Sequence, residues 1–240
     1  MDYAKFGILK LDEYLGGGLD RSSINLIIGR SGIGKTVLAA HWAAEGARND
    51  EKVVYISTTM NKFICKSYLG RFGFMKDVFD KINWKFVRWD PKFLMPLTKE
   101  KLLEGLELIY GSKSKDVDRI ILDSCTDLEN TLADVVLYRR AMSILADLAY
   151  EYGITALWIE EAPMKEEWSP TKNFAEAVLF LDLLRVPEGY TRAMRILKKY
   201  RNSHPLEFFP YEITNEGIVI KDGWFVRKDY EYEFKPSRQN

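Results

Sequence analysis

The segment Gly29-Arg30-Ser31-Gly32-Ile33-Gly34-Lys35-Thr36 dictates local geometry before any other stretch of this chain does. It follows a short β-rich apolar run, Ile24-Asn25-Leu26-Ile27-Ile28. It precedes an alanine-rich stretch from Lys35 to Arg48 that reads as helix. A GxxxxGK[ST] loop between strand and helix is a cradle for phosphate. The glycines let the backbone curl so that successive N–H groups point inward at phosphate oxygens. The helix that follows offers its positive N-terminus to the same anion. Gly29, Ser31, Gly32, Ile33, Gly34 and Lys35 are therefore candidate phosphate ligands, with Lys35 reaching the β- and γ-phosphates. The Thr36 hydroxyl is a candidate ligand of Mg²⁺.

The rest of the chain alternates in the same way. Val53 to Ile56, Trp84 to Trp89, Arg119 to Asp123 and Ile154 to Ile159 read as strands. Asn61 to Arg71 and Thr98 to Tyr110 read as helices, the second with Leu102, Leu103, Leu106 and Ile109 at helical spacing. One long helix is expected after Asp123, with Leu132, Val135, Val136, Met142, Leu145, Leu148 and Tyr152 on its apolar face. Thr131 and Asp134 are candidates to cap its start. Ala177 to Leu184, Arg192 to Tyr200, Phe208 to Ile213 and Gly217 to Ile220 then read as consecutive strands. This order predicts an α/β fold: a mainly parallel central sheet with helices on both faces and an antiparallel C-terminal extension. One domain over residues 1–220 and a tail over 221–240 are expected.

Composition narrows the function classes. The 35 Lys+Arg balance 35 Asp+Glu, which argues against a broadly basic polyanion-binding surface. The cancellation is local in origin: Arg192, Arg195, Lys198, Lys199 and Arg201 crowd one stretch, and Glu160, Glu161, Glu166 and Glu167 another. No apolar run approaches the ~20 residues of a membrane span. The N-terminal residues lack a signal-peptide pattern, so a cytoplasmic location is expected. Cys65 and Cys125 lack metal-type spacing and read as reduced thiols.

A phosphate loop needs an acidic partner on a neighbouring strand. Ile120-Ile121-Leu122-Asp123 has the Walker-B form, and Asp123 is the candidate to hold magnesium. Guanine-specific enzymes are set aside, because Asn61-Lys62-Phe63-Ile64 fails the NKxD pattern and no DxxG follows Asp123. No LSGGQ signature is present either. ATP is the expected nucleotide.

These features, with others, give a resemblance. Gly7 to Leu19 is similar to the glycine-rich lead-in of the KaiC-like branch of the RecA superfamily of P-loop ATPases. Asp123-Ser124 resembles its Walker-B ending. Lys199-Tyr200-Arg201-Asn202-Ser203-His204 resembles its Lys-x-Arg-Gly-Ser/Thr element, and Phe209 to Ile218 its closing strands. The resemblance implies a RecA-type core with another strand between the Walker-A and Walker-B strands. It also implies a homo-oligomeric ring or filament with nucleotide at subunit boundaries. Lys199 and Arg201 would then reach a neighbour's phosphates, although Asn202 replaces the family's glycine.

One departure bears on catalysis. RecA-type ATPases carry an acid just after the second core strand, and an acidic pair is typical of KaiC-like proteins. Here that region reads Ser57-Thr58-Thr59-Met60-Asn61 and has no carboxylate. Hydroxyl and amide groups are poor bases near neutral pH, so slow hydrolysis is expected. Glu160, beside Glu161 at a strand end, is the leading substitute acid, with Asp127 and Glu129 behind it. Three functions compete: a slow ATPase whose nucleotide state controls assembly or a partner, a recombination or DNA-repair accessory that binds single-stranded DNA, and a proficient enzyme using Glu160. The DNA reading rests on Lys165, Trp168 and Lys172 in the loop from Ala162 to Asn173, where Glu166 and Glu167 oppose it.

Overall fold

A computed structural model describes residues 3–90, 92, 95–110, 116–162, 169, 171–187, 189–221, 224–227 and 233–236. The side chains of residues 106, 108–110, 224–227 and 233–236 lie outside that description. So do Phe93, Lys165, Glu166, Glu167 and Trp168 entirely.

A short ladder of β1 (Tyr3–Ala4) and β2 (Leu19–Asp20) closes the N-terminal lead-in around helix α1 (Leu9–Tyr14). The glycines between them serve close approach. At Gly18, with φ 130°, a Cβ would lie 3.0 Å from the Ala4 carbonyl oxygen.

The core elements are β3 (Ile24–Gly29), α2 (Lys35–Arg48), β4 (Val53–Ser57), α3 (Lys62–Leu69), β5 (Asn83–Phe86), α4 (Lys99–Tyr110) and β6 (Arg119–Asp123). Then come α5 (Cys125–Leu132), α6 (Val135–Glu151) and β7 (Thr155–Glu161). The C-terminal strands are β8 (Ala177–Val186), β9 (Gly189–Lys199), β10 (Phe209–Thr214) and β11 (Gly217–Ile220). A separate two-stranded ladder joins β12 (Trp224–Arg227) and β13 (Glu233–Pro236) in the segment expected as a tail.

The sheet order is β11-β10-β9-β8-β3-β7-β6-β4-β5. Strands β8, β3, β7, β6, β4 and β5 run parallel, and β9, β10 and β11 extend the sheet as an antiparallel meander, each reversing the direction of its neighbour. This is the expected α/β architecture, and β7 lies between β3 and β6 as a RecA-type core requires. The central strands are apolar because both their faces are covered. Ile27, Ile121, Leu157 and Tyr55 pack with α2 on one face. Leu26, Ile28, Ile120 and Trp158 pack with α5 and α6 on the other. The alanines of α2 (Ala39, Ala40, Ala43, Ala44 and Ala47) are buried and let that helix lie close to the sheet.

The long helix expected after Asp123 is two. Ala133 adopts a left-handed conformation (φ 50°) and ends α5; the Asp134 carboxylate then caps α6 by accepting from the Val136 and Leu137 amides. Thr131 takes no part in that cap, since its hydroxyl donates to the Asp127 carbonyl at 2.7 Å. Val135 and Val136 are exposed rather than on the buried face. Trp84 packs as a core residue, its ring 4.8 Å from Tyr55 and 4.9 Å from Phe79. Cys65 and Cys125 are buried, unpaired thiols. Among the described residues no helix is long and apolar enough to cross a membrane.

Candidate functional site at the strand C-termini

The phosphate loop joins the C-terminal end of β3 to the first turn of α2. Gly34 caps that helix with φ 111°. A Cβ at Gly34 would also sit 2.7 Å from Ile213 Cδ1, so both backbone and packing require glycine there. The loop is pinned from two strands. The Tyr211 hydroxyl, on β10, donates to the Ile33 carbonyl at 2.7 Å, and Arg30 pairs with Asp182 of β8 at 2.8 Å. Neither tether carries a sequence motif; Tyr211 and Asp182 are found only once the antiparallel strands are placed.

Lys35 is buried, and its ammonium donates to the Gly29 and Arg30 carbonyls at 2.8 and 2.7 Å. Burial lowers its pKa, while the nearby Glu161 and Asp123 carboxylates act in the opposite direction. The Thr36 hydroxyl donates to Asp123 Oδ2 at 2.8 Å, and the Tyr55 hydroxyl to the same oxygen at 2.8 Å. Burial raises the Asp123 pKa against the opposing hydrogen bonds from Tyr55 and Thr36 and the charge of Lys35. The parallel order places Asp123 two strands from the loop, with β7 between. The sequence therefore located Gly29 through Thr36 and Asp123 in one place, and the structure adds Tyr55.

A magnesium ion suits the Thr36 and Asp123 oxygens, which are hard donors within hydrogen-bond distance of each other. Among the described residues no group of three or more His, Cys, Asp or Glu could hold a metal by itself. Such a pair fits an ion that takes its remaining ligands from phosphate and water.

The acids after β7 divide by face. Glu160 pairs in register with Ile28 and Glu161 with Gly29. Glu160 therefore shares the α5–α6 face, where it is buried, accepts from the Ser169 hydroxyl at 2.7 Å, and has its pKa raised by burial. Alternation along the strand puts Glu161 on the phosphate-loop face, where its charge bears on Lys35. The side chain chosen from sequence, Glu160, thus points away from the loop, and its neighbour points toward it.

Lys199 and Arg201 lie far from their own loop. Lys199 registers with Ala177, which registers with Asn25 at the start of β3, the opposite end of the sheet from Gly29. The Lys199 side chain is fully buried and its ammonium binds the Asp20 carboxylate. Arg201 turns through a left-handed φ of 68°, so strand alternation does not relate it to Lys199. It is 57% exposed and pairs with Glu176 at 3.1 Å and Asp20 at 3.7 Å. Of the residues behind the DNA reading, only Lys172 is described, and its carbonyl accepts from Lys198.

The sequence profile described as "ATPase: KaiC" matches residues 4–223. The chain belongs to the KaiC ATPase family. A UPF0273 protein of Aeropyrum pernix is 24% identical, with 95% of this chain and 96% of that one aligned. A UPF0273 protein of Thermotoga maritima is 26% identical over 90% of this chain and 94% of the relative. The circadian clock oscillator protein KaiC of Parasynechococcus marenigrum is 24% identical over 89% of this chain, but that match spans only 44% of the clock protein. Among solved structures, a KaiC-like protein of Pyrococcus horikoshii superposes with a TM-score of 0.76 at 23% identity. That alignment covers 92% of this chain and 99% of the other, and it supports the KaiC-type fold.

Proposed function

We propose that this KaiC-family protein binds ATP·Mg²⁺ in the loop between β3 and α2, hydrolyses it slowly, and uses nucleotide state to control self-assembly in the cytoplasm. The observation that carries the reading is the Thr36–Asp123 hydrogen bond beside the buried Lys35, at the N-terminus of α2. Lys35 and the loop amides hold the phosphate chain, while Thr36 and Asp123 hold the metal, which neutralises phosphate charge. Tyr55 keeps the Asp123 carboxylate aimed at that position.

Assembly is supported by the distance of Arg201 from its own loop. An exposed guanidinium at the far end of the sheet can serve a phosphate only on another subunit, by exchanging Glu176 for it. Lys199 is held internally by Asp20 and does not reach across. A nucleotide touching two subunits would favour the assembled state by linkage. Size-exclusion chromatography with light scattering, with and without ATP·Mg²⁺, tests this. The mass rises with nucleotide in wild type and does not rise in Lys35→Ala. One mass under all conditions, with no binding of a fluorescent ATP analogue, sinks the proposal.

A further inference from the structure

The end of β4 has hydroxyls where RecA-type enzymes carry an acid, yet a carboxylate is present there in space. Thr58, the first residue after β4, donates its hydroxyl to Asp127 Oδ2 at 2.5 Å. That hydroxyl oxygen also accepts from the Ser124 amide at 2.9 Å, and the Thr58 amide donates to the Asp123 carbonyl at 2.7 Å. Thr58 is thus fastened to the backbone of the Walker-B residue and to Asp127 together. Asp127 lies in the first turn of α5, two residues after that helix begins at Cys125. Among the described residues Asp127 Oδ1 has no hydrogen-bond partner. Asp127 and Thr58 line an open cleft of about 420 Å³ together with Arg88, Trp89, Asn130 and Thr131.

We infer that Asp127, docked on Thr58, is the base for ATP hydrolysis, an acid supplied from helix α5 in place of the one missing from the end of β4. This rests on the proposed binding of ATP at the β3–α2 loop. A water held by Asp127, beside the Asp123–Ser124 backbone to which Thr58 is fastened, attacks the γ-phosphorus and forms the new P–O bond. The bond from that phosphorus to the β,γ-bridging oxygen breaks, and its electron pair leaves with ADP. The water's proton passes to the Asp127 carboxylate, directly or through the Thr58 hydroxyl, and then to solvent. A solvated first-turn acid that merely favours the helix dipole would have no such effect on turnover.

Single-turnover phosphate release is measured alongside affinity for a fluorescent ATP analogue and thermal melting. Asp127→Asn is expected to lower release about 100-fold with affinity within about twofold of wild type. Thr58→Glu added to Asp127→Asn returns the carboxylate to the strand and recovers release at least about tenfold. Thr58→Val, the second variant should Asp127→Asn fold poorly, lowers release about tenfold or more with affinity unchanged. Wild-type release from Asp127→Asn or from Thr58→Val overturns the inference. So does a wild-type protein that binds the analogue and releases no phosphate, although nucleotide binding then stands. Failure of wild type to bind the analogue removes the binding reading itself, and this role with it.

Discussion

At the residue scale, the loop residues Gly29 to Thr36 are contiguous, and Thr36 joins them to Asp123 by donating to its carboxylate. A loop whose amides must converge on one anion cannot be scattered along a chain, so Gly29 through Thr36 were legible from spacing alone. Asp123 was legible because an apolar strand ending in an acid has few other uses beside such a loop. Faces were harder to read. Glu160 and Glu161 are neighbours in sequence, and only the register of β7 on β3 assigns them to opposite sides of the sheet. Glu160→Gln is therefore expected to leave phosphate release within about twofold of wild type, since proton-transfer losses of 10²–10⁴-fold arise only where the acid meets the reaction. A neutral amide also suits a site where burial already favours the protonated acid. A large loss of release with nucleotide affinity intact would put Glu160 back at the reaction. Lys199 poses a related difficulty: no local pattern distinguishes a lysine that reaches outward from one that meets Asp20, distant in sequence. Asp20→Ala would strand a buried ammonium, at a cost of about 3–5 kcal/mol. Equilibrium urea unfolding checks this, and a cost below about 1 kcal/mol would show that Lys199 can find water.

Elements were legible wherever periodicity was strong. Lys35–Arg48 and Arg119–Asp123 have the expected ends, because an anchoring loop, a glycine-free apolar run or a terminal acid marks each. Apolar residues continue across Leu132, Val135 and Val136, so periodicity alone predicts a single helix after Asp123. What interrupts it is a single left-handed residue, Ala133, followed by an aspartate in extended backbone. Alanine carries no turn signal, so composition does not mark the break; the Thr131–Asp134 spacing signals a cap without showing that Asp134 alone forms it. The break matters for the site. It leaves α5 as a short helix whose first turn sits over Thr58, while α6 covers the sheet. Asp134→Ala should destabilise the protein by about 1 kcal/mol, as loss of an N-cap usually does. Thr131→Ala, which removes only a bond to a carbonyl of its own helix, should cost less. Thermal melts of the two variants compare them directly, and an equal or larger loss at Thr131 would restore the single-helix view.

At the scale of the whole molecule, the balanced charge of the sequence conceals buried groups that titrate in opposite senses, and these set the acid response. His41 accepts from the Ile218 amide at 2.9 Å and stacks on Phe74. Burial, with Arg48 nearby, lowers its pKa to about 3. The unfolded chain therefore binds a proton near pH 6.5 that the folded chain refuses, and stability falls as pH drops from there toward 3. Asp12 opposes this. Burial raises its pKa to about 6, against hydrogen bonds from the Phe6 and Gly7 amides. The folded chain takes up that proton before the unfolded chain does, so stability rises as pH falls from 6 toward the ordinary aspartate value of 3.8. Burial raises Glu160 and Asp123 in the same sense. Below about pH 4.5 a further loss begins. Glu51 has its pKa drawn down to about 2: burial alone would raise it, but bonds from Arg119 and Arg21 outweigh that. Wild type should thus hold its stability between pH 6 and 4.5 and lose it steeply below. Asp12→Asn removes one compensating proton and leaves His41 less opposed. Urea unfolding of both proteins from pH 7 to 4 should show the stability gap between wild type and Asp12→Asn widening by about 2–3 kcal/mol as pH falls, because each unit of pKa difference is worth ~1.4 kcal/mol. A gap that stays constant with pH would mean that Asp12 keeps its charge in the folded lead-in, held by the two amides alone.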